Sequence, residues 1–329
     1  MDLGARHITQ LTVGTWQAEV LYTLAELDVF ATLSRGGLTA EALAERDGLH
    51  PMATRALLDA GVALRLLTMD GGTYGNAELS ERLLTGATDE SLVEWVRTMG
   101  RWARLWSQLT EVVKVGGPAH GKDARLNQDP AYVGDLEIGF YRYAVRMADE
   151  LVECIDEPLS GRILDIGGGC GAYSMALCRK HSELESQIWE LPDVVPIANK
   201  VIAQHRLADR VTVVARDYTT DDYGSGLQLV LMSNLLHSER REVAQSMLAN
   251  AHRALVPEGL LVLNNNLLDD TRTRPLFSAL HNLSSVVLWD GGQDFTLREL
   301  TAMITEAGFA APDAHPISGG SAHIVVARK

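Results

Sequence analysis

Cysteine is nearly absent from this chain: three residues in 329, at Cys154, Cys170 and Cys178. No two form a Cys-x-x-Cys pair, and three thiols cannot make an even framework. That excludes a disulfide-stapled scaffold and leads one to expect reduced thiols in a cytoplasmic protein. Positive charge is also short, with 29 Lys and Arg against 43 Asp and Glu, for a net charge of −14. Binding to a nucleic-acid backbone needs a basic surface, and this balance argues against such a partner. No apolar run is long enough to span a bilayer, and the N-terminus lacks a basic segment leading into an apolar one, so no membrane partner is expected. What remains is ordinary for a folded protein: 46% hydrophobic and 22% charged residues, over a length sufficient for two domains.

Periodicity divides the chain near residue 158. Apolar positions at Leu11, Val13, Trp16, Val20, Leu21, Leu24 and Leu27 read as a helix over 8–34. Thr39 is placed to cap a second helix and Pro51 to open a third, and residues 67–74 read as a short hairpin around Asp70-Gly71-Gly72. Helix-turn-helix plus hairpin is a winged-helix pattern. Its third helix offers only Arg55 and Arg65 as basic residues, which suits dimerisation or a substrate lid better than DNA. Residues 90–155 are expected to be largely helical and carry the aromatic cluster Trp95, Trp102, Trp106, Phe140, Tyr141 and Tyr143. Beyond 158, strands at 211–215, 227–233 and 260–263 alternate with helix, notably over 239–255. That order predicts an α/β fold with a doubly wound parallel sheet, closed by an antiparallel pair at 312–317 and 322–327.

The densest signal is Arg162-Ile-Leu-Asp-Ile-Gly-Gly-Gly-Cys-Gly-Ala-Tyr173. An apolar strand runs into a glycine-dense turn, a helix follows, and a second strand ends on Trp189-Glu190-Leu191-Pro192. Glycines there let backbone approach a ligand, and the acid takes a ribose hydroxyl pair. Glu190 falls 21 positions after Gly169, close to the ~20 of a nucleotide-binding βαβ unit. Gly167-x-Gly169-x-x-Ala172 alone would fit a dinucleotide. Asp165 does not, because a carboxylate beside the loop repels a pyrophosphate. It suits a cationic ligand with a free amino group, and S-adenosylmethionine (SAM) carries a sulfonium and an α-ammonium. Three consecutive glycines are costly for a bare turn, so an enzyme is the leading class.

Asp165–Gly171, Glu190–Pro196, Arg216–Tyr218 and Ser233–His237 together resemble the small-molecule SAM-dependent methyltransferases of the plant and bacterial O-methyltransferase type. The resemblance extends over nearly the whole chain, through Trp102–Trp106, Gly116–Ala119, and Gly291-Gly292 with Phe295-Thr296. It implies a winged-helix-like dimerisation domain at 1–95, a helical linker and substrate-pocket segment at 96–157, and a Rossmann-like SAM-binding catalytic domain at 158–329. It also implies an intertwined homodimer acting on a small molecule. Cofactor contacts are expected at Asp165, Gly167 and Gly169, at Glu190 for the ribose, near Asp217 for the adenine, and at Leu191, Tyr218 and Ser233.

In that family the position of His237 is a general base that deprotonates a phenol, followed by Asp and Trp; here Ser238 and Glu239 follow. Where the family has an orienting Glu at the end of the next strand, this chain has Asn264-Asn265-Asn266. A base needs a partner that holds its tautomer and position. His281-Asn-Leu-Ser-Ser-Val-Val-Leu288 instead resembles the metal-dependent α-keto acid C-methyltransferases of peptide natural-product biosynthesis. That resemblance makes His237 and His281 catalytic ligands of a divalent transition metal (Fe, Zn or Ni). His323 is a candidate third ligand, because the last strand should run antiparallel and begin at the cofactor edge of the sheet, with a satisfied surface or core histidine as the alternative. The implied activity is methylation of the β carbon of a branched-chain or aromatic 2-oxo acid. Chelation by the metal would stabilise the enolate, and its β carbon would attack the sulfonium methyl. The alternative is metal-independent O-methylation of a phenolic metabolite with His237 as general base. A winged-helix regulator is disfavoured by the acidity and the intact glycine loop.

Trp102, Tyr141, Tyr143 and Leu283 are expected to wall the substrate pocket. Arg142, with Arg101, Arg104 and Arg146, lies in the helices that should roof it, and guanidinium grips carboxylate bidentately. The other seven histidines, His7, His50, His120, His181, His205, His252 and His315, lack partners at ligand spacing and are expected to be structural or exposed.

Overall fold

The computed structural model describes residues 3–119, 130–155, 157–317 and 322–329. They fall into two compact units, Met1–Arg104 and Leu105–Lys329. The first is helical: α1 (Leu3–Glu26), α2 (Val29–Leu33), α3 (Ala40–Asp47) and α4 (Pro51–Ala63) precede a hairpin of β1 (Leu67–Asp70) and β2 (Thr73–Asn76), then α5 (Glu78–Leu83) and α6 (Val93–Trp106). The helix expected over 8–34 is broken, because Asp28 adopts a left-handed φ of 53° between α1 and α2. Thr39 caps α3 as expected, its hydroxyl accepting from the Ala42 amide at 3.2 Å. Gly71 and Gly72 both take positive φ, which gives the two-residue turn the twist a hairpin needs. Leu24, Phe30, Leu43, Leu58, Leu67 and Tyr74 form this unit's core.

The second unit opens with α7 (Leu109–Val115) and α8 (Pro130–Glu153) and then alternates: β3 (Gly161–Ile166), α9 (Ala172–Lys180), β4 (Leu184–Glu190), α10 (Val195–Gln204), β5 (Val211–Ala215), β6 (Leu227–Ser233), α11 (Arg241–Ala254), β7 (Leu255–Leu268), α12 (Leu276–Leu288), β8 (Phe295–Thr296), α13 (Leu297–Glu306), β9 (Asp313–Pro316) and β10 (Ala322–Arg328). The sheet order is β5-β4-β3-β6-β7-β10-β9, with β8 paired to β7. Strands β3 to β7 run parallel and β10 is antiparallel to both neighbours, which is the doubly wound α/β arrangement expected. The central strands β3, β6 and β7 are covered on both faces over most of their length and carry long apolar runs, whereas β4 and β5 toward one edge alternate and β9 at the other is largely exposed. Ile163, Leu229 and Val262 pack toward α8 and α9, while Leu164, Val230 and Leu261 pack toward α11 and α13. Burying each such side chain contributes roughly 1.5–3 kcal/mol.

This topology positions the site. The chain winds outward from β3 in both directions, so a crevice opens beyond the carboxyl ends of β3 and β6, where such folds bind ligands. Strand β7 runs well past the expected 260–263. Asn264–Asn266 therefore lie inside it, paired with β10, rather than at its end.

Candidate active site

Gly167, Gly169 and Gly171 carry φ of 64°, 54° and 77°, a region side chains rarely enter. A Cβ on Gly168 would lie 2.4 Å from the Asp165 carboxylate, so the loop must be bare to fold over that acid. Asp165 is 1% exposed. Its Oδ2 accepts from the Ser174 hydroxyl at 2.6 Å, and its Oδ1 is buried without a partner among the described residues. Burial pushes its carboxyl up to about 7; Ser174 pulls the other way and Glu190 adds to the rise. At the end of β4, Glu190 accepts from the Gly169 amide at 2.8 Å and from the Leu191 amide at 2.9 Å. From α8, the Glu137 carboxylate comes within 3.0 Å of the place a Gly169 Cβ would occupy, and burial together with Glu190 raises it well above the carboxylate range.

These residues fit SAM. An orphaned acid oxygen and a second acid face a loop that only glycine can form, as a cationic amino-acid end requires. Glu190 stands where a ribose would be held. Beyond β5, Asp217 ties its own turn by accepting from the Thr219 amide and hydroxyl, which holds its carboxyl below the usual range. The Tyr218 hydroxyl donates to Glu239 at 3.0 Å. Ser233 closes β6, and the amide of Asn264 donates to its oxygen at 3.2 Å and to the Tyr173 hydroxyl at 2.8 Å. The expected cofactor residues thus gather at the carboxyl ends of β3, β4, β5 and β6.

His237 follows β6 in a short 3-10 turn and is 4% exposed. Its ring meets that of His281, from α12, edge to face at 4.8 Å between centroids, and that of Trp289 at 5.0 Å. His281 Nδ1 lies 2.7 Å from Asp294 Oδ2. An ionised carboxylate only accepts, so the ring nitrogen donates. The Ser285 hydroxyl reaches the other carboxylate oxygen at 3.3 Å, and Asn282 accepts from the Asp294 amide at 2.8 Å. The turn that delivers Asp294 depends on its glycines. A Cβ on Gly292 would lie 2.4 Å from the Ser285 carbonyl and 3.1 Å from that of His237, and one on Gly291 would strike Arg240. Next in line, the Gln293 amide donates to the His237 carbonyl at 2.9 Å.

Asp294 was missed in the sequence; its signal is an acid two places after Gly291-Gly292. Glu137 and Tyr173 were missed as well, and Glu137 has no motif that marks it. Among the expected pocket residues, the Tyr141 hydroxyl lies 2.5 Å from His205 Nε2, Tyr143 is exposed, and Arg142 lies between them on α8. Leu283 lies on α12, two residues after His281, and Trp102 lies on α6 in the first unit. His323 pairs with Asn265 at the start of β10. The segment before it, Gly319–Ser321, and His120 lie outside the described residues.

Residues 142–310 match an O-methyltransferase domain and residues 9–86 an O-methyltransferase dimerisation domain. The chain is 29% identical over 328 residues to 3-hydroxy-5-methyl-1-naphthoate 3-O-methyltransferase of Streptomyces sahachiroi, covering 95% of this chain and 94% of that one. It is 30% identical over 322 residues to the N,N-dimethyltransferase OxyT of Streptomyces rimosus, covering 95% and 93%. Its fold is that of the solved structure of PigF with SAH, at a TM-score of 0.90 and 23% identity, covering 98% of this chain and 99% of that one.

The two named relatives overturn the expectation of metal-assisted C-methylation of a 2-oxo acid, since by name one is an O-methyltransferase and the other an N,N-dimethyltransferase. The donor set agrees. Among the described residues, no group of three or more His, Cys, Asp or Glu side chains is placed to hold a metal ion. His323 is not brought into such a group with His237 and His281, so the proposed Fe, Zn or Ni does not fit these residues.

Proposed function

The chain belongs to the O-methyltransferase family, and from that premise we propose that it methylates the hydroxyl of a phenolic metabolite, without a metal, using His237 as general base. SAM, when bound, supplies an electrophilic methyl on a sulfonium that becomes a neutral thioether as the methyl leaves. The protein's part is to hold that cofactor and manage one proton. Glu190, Gly167 and Gly169 hold the nucleoside side, and Asp165 and Glu137 are the carboxyl groups at the cationic end, raised by burial in the cofactor-free chain and drawn toward ionisation by a bound cation. His237, at the carboxyl end of β6, accepts the phenolic proton as the oxygen becomes nucleophilic.

One observation carries the reading: a buried histidine stands at the carboxyl end of the strand next to the glycine loop's strand, within the span that matches the O-methyltransferase domain. The match of residues 9–86 to a dimerisation domain supports a homodimer, and Leu11 and Trp16 leave an apolar stretch of α1 exposed in the single chain. No helix among the described residues is long and apolar enough to cross a membrane. The test is turnover with a panel of hydroxynaphthoates and related phenols, with the product located by mass spectrometry and NMR. Methoxy product that persists after exhaustive chelation, and is lost in His237→Gln, is expected. Methylation confined to amines, or turnover abolished by chelation, would overturn the proposal.

A further inference from the structure

One tripeptide holds both histidines of the site. Gly292 lies against the His237 carbonyl, the Gln293 amide donates to that carbonyl at 2.9 Å, and Asp294 accepts from the His281 ring at 2.7 Å. The Asp294 side chain is shielded completely from solvent, while that of His281 keeps 19% of its surface. A buried carboxylate without a cation beside it is costly. Here it faces an imidazole N–H and a hydroxyl, and that imidazole in turn lies edge to face with His237. We propose that His281, clasped by Asp294, is the positioning residue for the proton transfer at His237, and that the dyad supplies the negative charge which balances the imidazolium formed there. The proposal rests on His237 being the base.

The chemistry is an imidazole oriented by a carboxylate, with a second imidazole added between acid and base. Asp294 fixes the tautomer of His281, with Nδ1 protonated and Nε2 bearing the lone pair. When the phenolic O–H breaks, its proton goes to His237. The new positive charge then lies 4.8 Å, ring to ring, from an imidazole–carboxylate unit of net charge −1. The oxygen keeps the electron pair for its bond to the methyl carbon. No atom of the dyad joins a covalent bond, and His281 keeps its own proton. The Asn264–Asn266 run places amides rather than a carboxylate on that stretch of β7, and the turn after α12 provides a carboxylate through His281.

The experiment is Asp294→Asn, which keeps the shape but replaces the pure acceptor by an amide. It is assayed with the phenol the wild type accepts and with a nitro-substituted analogue that ionises without help. The expected result is a kcat loss of about 10²-fold on the first phenol, with KM for SAM and phenol within about threefold. On the acidic phenol the loss should shrink at least about tenfold, because no base is then needed. A purely structural Asp294 would cost both phenols equally, and that outcome, or kcat within about twofold of wild type, overturns the proposal. If Asp294→Asn does not fold, His281→Gln serves, since its amide donates to Asp294 but cannot be an imidazole; the same pattern is expected. His237→Gln runs alongside. If it leaves phenol turnover intact, or if the wild type methylates no phenol, the base reading falls and this proposal with it. If His237 is essential and Asp294→Asn is silent, only the dyad falls.

Discussion

The Nδ1–H of His281 donates to Oδ2 of Asp294 across 2.7 Å, and the carboxylate that accepts it has no solvent contact. Folding has therefore dehydrated an acid and given it one strong side-chain donor and one longer hydroxyl contact. Replacing His281 by Phe fills the ring's volume but strands the carboxylate. Leaving a buried acceptor unsatisfied costs about 1–3 kcal/mol, so His281→Phe should lower the unfolding free energy in urea by about 2 kcal/mol. Asp294→Asn, which removes the charge as well, should cost less. The reverse order would show that Asp294 draws its stability from some other donor.

The cofactor loop makes a sharper demand on backbone than on side chains. Gly169 sits at φ 54° with its amide on Glu190 and the Glu137 carboxylate 3.0 Å from a would-be Cβ. Gly169→Val adds a branched carbon in a conformation that costs such residues about 1–3 kcal/mol, and it presses on the Glu137 carboxylate. Isothermal titration should show SAM binding weakened by more than about 100-fold, an effect of about 2.7 kcal/mol. Binding within a few-fold of wild type would mean that this loop does not carry the cofactor.

Asp165 gives the fold a pH signature. Burial raises its carboxyl from the ordinary 3.8 to about 7, so the folded chain holds a proton that the unfolded chain releases. Where the folded state binds more protons, stability falls as pH rises. The contribution of this group is therefore greatest below about pH 4, declines from about pH 4 to about pH 7, and is flat above that. Asp165→Asn keeps an acceptor for the Ser174 hydroxyl and removes the titration. Urea melts of the cofactor-free protein at pH 5 and pH 8 should show the wild type losing more stability across the interval than the variant. Equal losses would mean that Asp165 is ionised throughout.

How much of this was legible in the sequence depends on the distance over which each feature is decided. The glycine loop, Glu190 and His237 were legible because each is a local motif on a strand end, and a parallel sheet brings strand ends together whatever else the chain does. Helix α3 was legible from Thr39 alone, because a cap is decided within three residues. The break at Asp28 was not, since the apolar period runs on through Leu27 and Val29 while the backbone turns left-handed between them. The partner of His281 was hidden for another reason. His281 and Asp294 come together only because Gly291 and Gly292 let the turn wedge against Arg240 and the Ser285 carbonyl. That is a tertiary fit, and the metal reading of the same histidine filled the gap with a ligand.

Asn264 shows what replaced the expected acid on β7. It is fully buried, and its amide donates to Tyr173 on α9 and Ser233 on β6, tying the helix that follows the glycine loop to the strand that leads to His237. Asn264→Leu fits the apolar strand but leaves a buried tyrosine hydroxyl with one donor fewer, at a cost of about 1–3 kcal/mol. Tyr173→Phe removes the other end of the same bond. If the two groups act as one unit, the double variant should be more stable than the sum of the single losses allows, by about 0.5–3 kcal/mol. The same variants test whether the tie serves the site, because Ser233 and the glycine loop both lie at the proposed cofactor crevice. SAM affinity should then fall with Asn264→Leu more than its stability loss alone explains, measured at a temperature where every variant is folded. Strict additivity in stability together with unchanged SAM affinity would reduce the Asn264–Tyr173 contact to ordinary packing between β7 and α9.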